Sequence, residues 1–148
     1  TLVPDPPEAI TSNSGWDTLT HLSFLTDVVA IFKENGIRTS IFIGTDIELI
    51  EAAALCNTDR VELYTEPYAT NFPINCEKAV APFVRAAEAA TKAGLGLNAG
   101  HDLDLHNLKF LIERIPQIAE VSIGHALISD ALYLGLETTV QKYLDCLK

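Results

Sequence analysis

Short apolar segments alternate along this chain with longer amphipathic segments, in repeating units of roughly 30 residues. β-branched and other apolar residues predict five strands, at 1–3, 37–43, 60–65, 96–99 and 120–123. Each strand is followed by a segment with apolar residues at helical spacing. This alternation is typical of a parallel sheet with helices packed outside it, so we expect an α/β fold.

Capping and helix-ending residues indicate the bounds of the helices. We expect Asp17 to cap the first helix and Gly36 to end it, and Asp46 to begin a short second helix. Pro82 is expected in the first turn of a third helix, where its missing N–H costs little, after a long loop at 66–75. The remaining helices are expected over 108–115, from His125 onward and over 136–147.

Two architectures share this order of elements. A five-stranded doubly wound domain would be complete at 148 residues, whereas a (β/α)8 TIM barrel needs about 250. The chain begins inside a predicted strand, at Thr1-Leu2-Val3, and contains no methionine. This favours the barrel, and we expect residues 1–148 to be the C-terminal part of a single TIM-barrel domain, strands four to eight with their helices. The three N-terminal βα units would then lie outside this sequence.

The composition argues against several classes of partner and site. A net charge of −10 disfavours nucleic acid and anionic membranes as partners. No apolar run approaches the roughly 20 residues that a membrane-spanning helix needs. Three cysteines without CxxC spacing argue against a disulfide framework or a structural zinc site, so we expect a cytoplasmic protein.

Two predicted strands end in the same way, with a glycine followed by a histidine: Gly100-His101 and Gly124-His125. Ligands of α/β folds bind at the carboxyl ends of parallel strands, and histidine suits proton transfer because its ordinary pKa lies near neutrality. Gly124 would let the N–H groups at a helix start approach a phosphate. It could equally serve only the turn, with His125 capping the helix, and the residue types favour neither interpretation.

His101 belongs to the cluster His-Asp-x-Asp-x-His, with Asp102, Asp104 and His106. The spacing matches no common metal motif, which favours acid–base chemistry at His101 over metal binding. The alternative is a solvent-exposed loop histidine, with Asp102 or Asp104 capping the next helix. We expect His106 to have a structural role.

Glu62 lies within a strand that is predicted to be buried. Burying a carboxylate is costly unless it is paired or hydrogen-bonded. Arg60, on the same face of the strand, could be the partner of Glu62. The functional alternative, which we favour, is that Glu62 points into a pocket and stabilises a cationic intermediate.

The polar loop at 4–15 follows the first predicted strand and is long enough to serve as a lid. Its residues Thr11, Ser12, Asn13 and Ser14 could bind phosphate or sugar hydroxyls. They could equally be ordinary turn residues.

Several segments stand out together, in order and with compatible spacing over the whole chain: Leu2-Val3-Pro4, Val61-Glu62-Leu63 followed by Tyr68-Ala69, Asn98-Ala99-Gly100-His101, His106-Asn107 and Ile123-Gly124-His125-Ala126. Together these segments resemble the pyridoxine 5′-phosphate synthase family. The resemblance implies a TIM barrel with extra helices, assembled as a homo-octamer of dimers, that requires no cofactor. It also implies condensation of 1-deoxy-D-xylulose 5-phosphate with 3-amino-2-oxopropyl phosphate, giving pyridoxine 5′-phosphate, phosphate and water.

The same resemblance implies catalytic roles for two residues. His101 takes the position of the family's proton donor, and Glu62 that of a glutamate that stabilises the transition state. The family's other bases and its phosphate-binding arginines belong to its first three strands. We therefore expect the 148-residue chain alone to be inactive.

Four more residues match substrate-binding positions of the family. Gly124, His125 and Asp102 match positions that contact the aminoketone phosphate, and glycine is commoner at the position of Asp102. Thr11 matches a threonine that contacts deoxyxylulose phosphate.

Two other functions fit the same pattern of strands and glycines. Another phosphate-binding barrel lyase or aldolase would share the strand-end glycines. An aldolase of the Schiff-base type needs a lysine at a strand end, however, and Lys92 and Lys109 lie on predicted helices. A flavodoxin-like binding domain would be complete at this length.

Overall fold

Four parallel strands form a single sheet in the computed structural model, which describes residues 1–148. The strands are β1 (Ser40–Ile43), β2 (Arg60–Tyr64), β3 (Gly96–Gly100) and β4 (Ile118–Ser122). The helices are α1 (Leu22–Glu34), α2 (Ile47–Leu55), α3 (Glu66–Asn71), α4 (Cys76–Lys92), α5 (Leu108–Arg114), α6 (His125–Leu134) and α7 (Leu136–Asp145). A helix follows each strand, and none of the helices has the length and apolar character needed to cross a membrane.

The strands lie side by side in the order in which they occur along the chain. A doubly wound sheet, including a flavodoxin-like one, reverses its strand order, whereas a TIM barrel has consecutive parallel strands. The predicted α/β fold with a parallel sheet is therefore confirmed, and the strand order is consistent with part of a TIM barrel.

The strand predicted at 1–3 is reduced to a single parallel bridge between Leu2 and β1. The Leu2 carbonyl accepts a hydrogen bond from Phe42 N at 2.9 Å. The residue that would extend this pairing is Pro4, which has no N–H to donate. The Phe42 carbonyl accepts instead from Trp16 N at 2.8 Å, so the chain returns to β1 only after its first loop.

The capping predictions for the first two helices have different outcomes. Asp46 is the N-cap of α2, and its Oδ1 accepts from Glu48 N at 2.9 Å, which confirms the prediction. Asp17 instead caps a turn that precedes α1, where its Oδ1 accepts from Thr20 N at 2.9 Å. The first helix therefore begins later, at Leu22.

Two predictions around α3 and α4 are wrong. The segment 66–75 is not one long loop, because most of it forms α3, with Pro67 in the first turn where proline is favourable. Pro82 lies in the second turn of α4 rather than the first, because Asn75 caps that helix and accepts from Lys78 N at 2.9 Å. Since Pro82 has no N–H, it leaves the Lys78 carbonyl without its usual helical partner.

The sheet has an apolar outer face and a polar inner face. Val61 and Leu63 of β2 point to the outer face, where they are buried in the hydrophobic core with residues of α2 and α4. Alternation along β2 places Glu62 on the inner face, and the strand register puts it between Phe42 of β1 and Asn98 of β3. Side chains of this face meet the loops that follow the strands at the carboxyl edge of the sheet.

Candidate active site

A cavity of about 770 Å³ opens at the carboxyl ends of β2, β3 and β4. It is lined by all six residues to which the family resemblance assigns a role: Thr11, Glu62, His101, Asp102, Gly124 and His125. The other lining residues are Leu103, Asp104, Ser122, Ile123 and Ala126. The parallel sheet thus brings residues from separate segments of the chain to one place.

A second cavity, of about 520 Å³, lies between the ends of β1 and β2 and the helices α3 and α4. Its lining includes Tyr64, Lys78 and Phe83 and none of the six predicted residues. We place the candidate site in the larger cavity because it holds both Gly-His strand ends and the buried Glu62.

His101 follows β3 in an unusual backbone conformation. Its φ is 81° and that of Asp102 is 57°, both in the left-handed region that favours glycine. The His101 ring packs against the rings of Phe42 and Tyr64, with centroid distances of 5.1 and 5.4 Å. Burial raises the pKa of Tyr64, and the carboxylates of Glu66 and Asp102 add to the effect. The phenol beside His101 is therefore neutral at physiological pH.

The acidic residues that follow His101 have different surroundings. Asp104 Oδ1 accepts from the N–H groups of His106 and Asn107 at 2.8 and 2.9 Å, so Asp104 caps the turn before α5. Asp102 is held through its carbonyl, which accepts from Asn107 Nδ2 at 3.1 Å, while the residue lines the cavity. Nowhere in the chain do three His, Cys, Asp or Glu side chains gather as a set of metal ligands.

Glu62 is only 6% exposed, and Arg60 is not its partner. Glu62 Oε2 accepts from Thr1 Oγ1 at 2.6 Å. Arg60 extends across the sheet instead, where its Nη1 donates to Asn98 Oδ1 at 2.8 Å and lies 3.5 Å from Glu120 Oε1. The Arg60–Glu62 pairing considered from the sequence is therefore wrong, because Arg60 turns toward the neighbouring strands.

Gly100 gives the Glu62 carboxylate the room to reach the cavity. A Cβ at position 100 would overlap with Glu62 Oε1 and would lie 3.1 Å from Ser122 Cβ. A larger residue at position 100 would therefore displace the Glu62 carboxylate. The bare backbone of β3 allows the buried Glu62 carboxylate to reach the cavity that His101 also lines.

Gly124 is the N-cap of α6, and no side chain caps the free N–H groups of that helix. Its φ is −110°, and a Cβ at this position would meet no atom within 4 Å. Packing does not require this glycine, but its ψ of −85° with φ of −110° lies outside the regions that other residues commonly adopt. The backbone therefore fits the turn interpretation as well as the ligand-binding one. The alternative in which His125 caps the helix is wrong, because His125 is the first residue of α6.

Of the four polar residues proposed in the first loop, only Thr11 lines the cavity. Ser12 is buried, and its hydroxyl donates to the Asp5 carboxylate across the loop. The Ser14 hydroxyl donates to Asn13 Oδ1 at 3.4 Å. Ser12, Asn13 and Ser14 therefore have the roles of turn residues.

Acidic groups outnumber basic ones in the cavity. Its lining includes Glu62, Asp102 and Asp104, together with two histidines, and no lysine or arginine. A Schiff-base aldolase is disfavoured because Lys92 lies on α4 and Lys109 on α5, away from the lining. A phosphate dianion is held most strongly by charged donors, so tight phosphate binding here would need cations from outside this chain.

The sequence did not identify three residues that adjoin the predicted ones. Phe42 and Tyr64 contact the His101 ring and each other, and Ser122 lies beside Gly100. Alternation along β2 places Tyr64 on the same face as Glu62, which is a signal present in the sequence. Phe42 could be found only from the register between β1 and β2.

Comparison with known proteins gives a consistent result over the whole chain. A family model described as "Pyridoxal phosphate biosynthesis protein PdxJ" matches residues 1–148. Proteins named pyridoxine 5′-phosphate synthase from Phocaeicola vulgatus and Bacteroides thetaiotaomicron are 62% and 63% identical over 148 residues. The protein of that name from Cytophaga hutchinsonii is 60% identical. All of this chain is covered in each comparison, and it spans 62% of the length of each relative.

Proposed function

The chain belongs to the PdxJ family of pyridoxal phosphate biosynthesis proteins, and we propose that it supplies part of the active site of a pyridoxine 5′-phosphate synthase. The single observation that carries this proposal is the cavity in which all six predicted residues meet. Its volume of about 770 Å³ lies within the usual range for small-molecule sites. The synthases from Phocaeicola and Bacteroides are longer, so the remainder of the site is assigned to the part of the enzyme that this chain does not span.

We infer that residues 1–148 are the C-terminal part of a single (β/α)8 TIM-barrel domain, with Leu2 in strand four and β4 as strand eight. Leu2 bridges to β1 at one edge of the sheet, and β4 pairs only with β3 at the other. Three further strands between these edges would close the barrel, which leaves no sheet edge unpaired.

In this proposal the substrates are 1-deoxy-D-xylulose 5-phosphate and 3-amino-2-oxopropyl phosphate. The amine of the second condenses with the ketone of the first, which forms a C=N bond and releases water. Loss of phosphate and further water, with an aldol-type ring closure, then gives pyridoxine 5′-phosphate. His101 donates protons during these steps, and the Glu62 carboxylate stabilises positive charge that develops on the iminium nitrogen. No cofactor takes part.

The substrate-binding roles follow from position in the cavity. The uncapped N–H groups after Gly124, together with His125, hold the phosphate of the aminoketone. Thr11 contacts deoxyxylulose phosphate from the first loop. A carboxylate near a phosphate is unfavourable, so the Asp102 carboxylate binds the substrate amine instead.

The 148-residue chain alone is expected to show no synthase activity, because its cavity has no lysine or arginine to hold two phosphorylated substrates. The matched comparison is a hybrid synthase, in which this chain replaces the matching segment of the Bacteroides thetaiotaomicron protein, 63% identical over that segment. The hybrid synthase should form pyridoxine 5′-phosphate from the two substrates. Turnover by the chain alone would contradict the proposal that this chain holds only part of the active site. A hybrid that folds but is inactive would contradict the proposed synthase function.

Replacement of Gly124 by valine in the hybrid synthase is expected to raise KM for the aminoketone phosphate at least about tenfold, with a smaller change in kcat. A Cβ at this position meets no protein atom within 4 Å, and the valine side chain would extend toward the space in which the proposal places the phosphate. Steady-state kinetics with each substrate varied in turn would measure both constants. An unchanged KM would show that Gly124 serves only the turn.

The family resemblance also supports a cytoplasmic homo-octamer built from dimers as the assembled form. Large apolar side chains are exposed on two separate parts of this chain, Phe24 and Ile31 on α1 and Leu132 and Tyr133 on α6. Burial of such residues is favourable, so the remaining barrel units or other subunits would cover them in the complete protein.

A further inference from the structure

Thr65 connects the end of β2 to the end of β3 through two donors, its backbone N–H and its hydroxyl, whose single proton is shared between two carbonyls. Its N–H donates to the Gly100 carbonyl at 2.8 Å. Its hydroxyl lies 2.6 Å from the same carbonyl oxygen and 2.5 Å from that of His101. Thr65 is fully buried, so water does not compete for these bonds.

The hydroxyl of Thr65 does not cap α3, although Thr65 is the residue that precedes this helix. Thr65 is the N-cap of α3, where a threonine oxygen commonly accepts a hydrogen bond from the first turn of the helix. Here the side chain makes no capping bond. The hydroxyl points instead toward two consecutive carbonyls. That of Gly100 precedes the left-handed turn, and that of His101 belongs to it.

That turn needs support from its surroundings. Two consecutive non-glycine residues, His101 and Asp102, have positive φ, and such residues persist only where neighbouring groups hold them. The Asp102 carbonyl is held from the other side by Asn107, which is itself buried. Thr65 holds the two carbonyls before it, so three successive carbonyls have fixed partners.

We propose that Thr65 is a positioning residue for the proton donor of the reaction: its hydroxyl fixes the left-handed turn that places the His101 ring against the rings of Phe42 and Tyr64. The proposal rests on the proposed function, because it assumes that His101 transfers protons. Without the hydroxyl, the backbone at His101 and Asp102 is free to relax toward ordinary negative φ angles. The His101 ring then moves away from the reacting atoms. The phosphate contacts after Gly124 lie on another loop and are unaffected.

The test is Thr65→Val in the hybrid synthase, compared with Thr65→Ser. Valine has the shape of threonine without its hydroxyl, and we expect kcat to fall roughly 10- to 100-fold, the effect of a small displacement of a reacting group. KM for both substrates should stay within about threefold, since binding energy is little changed by positioning alone. Serine keeps the hydroxyl and should retain kcat within about threefold of the unsubstituted hybrid.

Two further variants separate positioning from a loss of stability. Thr18 is also fully buried, and its hydroxyl donates to the Leu49 carbonyl away from the cavity, so Thr18→Val is the matched control that should leave kcat unchanged. Asp102→Gly removes the need to hold a side-chain-bearing residue at positive φ. In the double variant with Thr65→Val, the combined fall in kcat should therefore be smaller than the product of the falls in the two single variants.

Hydrogen–deuterium exchange gives a readout that does not depend on activity. Thr65→Val should speed exchange in the peptide covering residues 100–104, and Thr18→Val should not. Unchanged kcat and exchange in Thr65→Val, equal loss in Thr65→Ser, or equal loss in Thr18→Val would each overturn the proposal. If Thr65→Val does not fold, Thr65→Ala removes the same hydroxyl and allows the same comparison with serine. An inactive unsubstituted hybrid would count against the function, and the exchange comparison would still decide the role of Thr65.

Discussion

Replacement of His101 by asparagine is expected to lower kcat of the hybrid synthase by about 10²- to 10⁴-fold, the usual range for loss of a general acid or base. Asparagine tolerates positive φ better than most residues, so the turn that carries φ of 81° at His101 should persist. The variant would then lack a titratable group without losing the geometry of the loop. The measurement is kcat under saturation with both substrates.

The control for this substitution is His106→Asn. His106 follows in the same loop but is exposed and does not line the cavity. We expect kcat of His106→Asn to stay within about twofold of the unsubstituted hybrid, because surface substitutions away from a site have small effects. A change in kcat below about threefold in His101→Asn would remove His101 from the proton-donor position, as would an equal loss in both variants.

The parallel sheet could be predicted from the sequence because its signals are local. Short β-branched segments such as 37–43, and apolar residues at helical spacing, can be recognised from residues that lie close together in the sequence. The strand at 1–3 could not be judged in this way. Its pairing stops where Pro4 lacks an N–H and Trp16 takes the Phe42 carbonyl, and that competition depends on a loop that returns to the sheet.

The gathering of the candidate residues could also be predicted, because the carboxyl ends of parallel strands share one edge. Glu62, His101 and Gly124 therefore line one cavity, although Glu62 lies within β2 and the other two follow β3 and β4. The orientation of Arg60 could not be predicted, since its partners Asn98 and Glu120 lie on the next two strands. Two positive φ angles at His101 and Asp102 also have no local signal, because Thr65 and Asn107 hold that turn from elsewhere in the sequence.

Replacement of Glu62 by glutamine in the hybrid synthase is expected to lower kcat by about 10²- to 10³-fold, the usual effect of removing one group that stabilises transition-state charge. Glutamine has nearly the same shape, so the packing against Gly100 is preserved while the negative charge is lost. The expected loss is in kcat rather than in KM, because in the proposed reaction the positive charge on the iminium nitrogen develops only after the substrates are bound.

The position of that carboxylate can be tested without changing Glu62 itself. In Gly100→Ala, the new Cβ would overlap with Glu62 Oε1, and the flexible side chain is the part that gives way. We expect the enzyme to fold and kcat to fall at least about tenfold, since a catalytic group displaced by about 1 Å loses much of its effect. Gly44→Ala is the matched control, because a Cβ there meets no atom within 4 Å and position 44 does not line the candidate-site cavity.

The double variant Gly100→Ala with Glu62→Gln decides whether the two substitutions act through the same group. If Gly100→Ala lowers kcat by moving the Glu62 carboxylate, that loss cannot be repeated once the charge is gone, and kcat of the double variant should equal that of Glu62→Gln within about threefold. Independent effects would multiply instead. Multiplied losses would show that the added methyl group at position 100 acts elsewhere, for example through Ser122, whose Cβ lies 3.1 Å from the new Cβ. An unchanged kcat in Gly100→Ala would show that the buried position of Glu62 is not what the reaction requires.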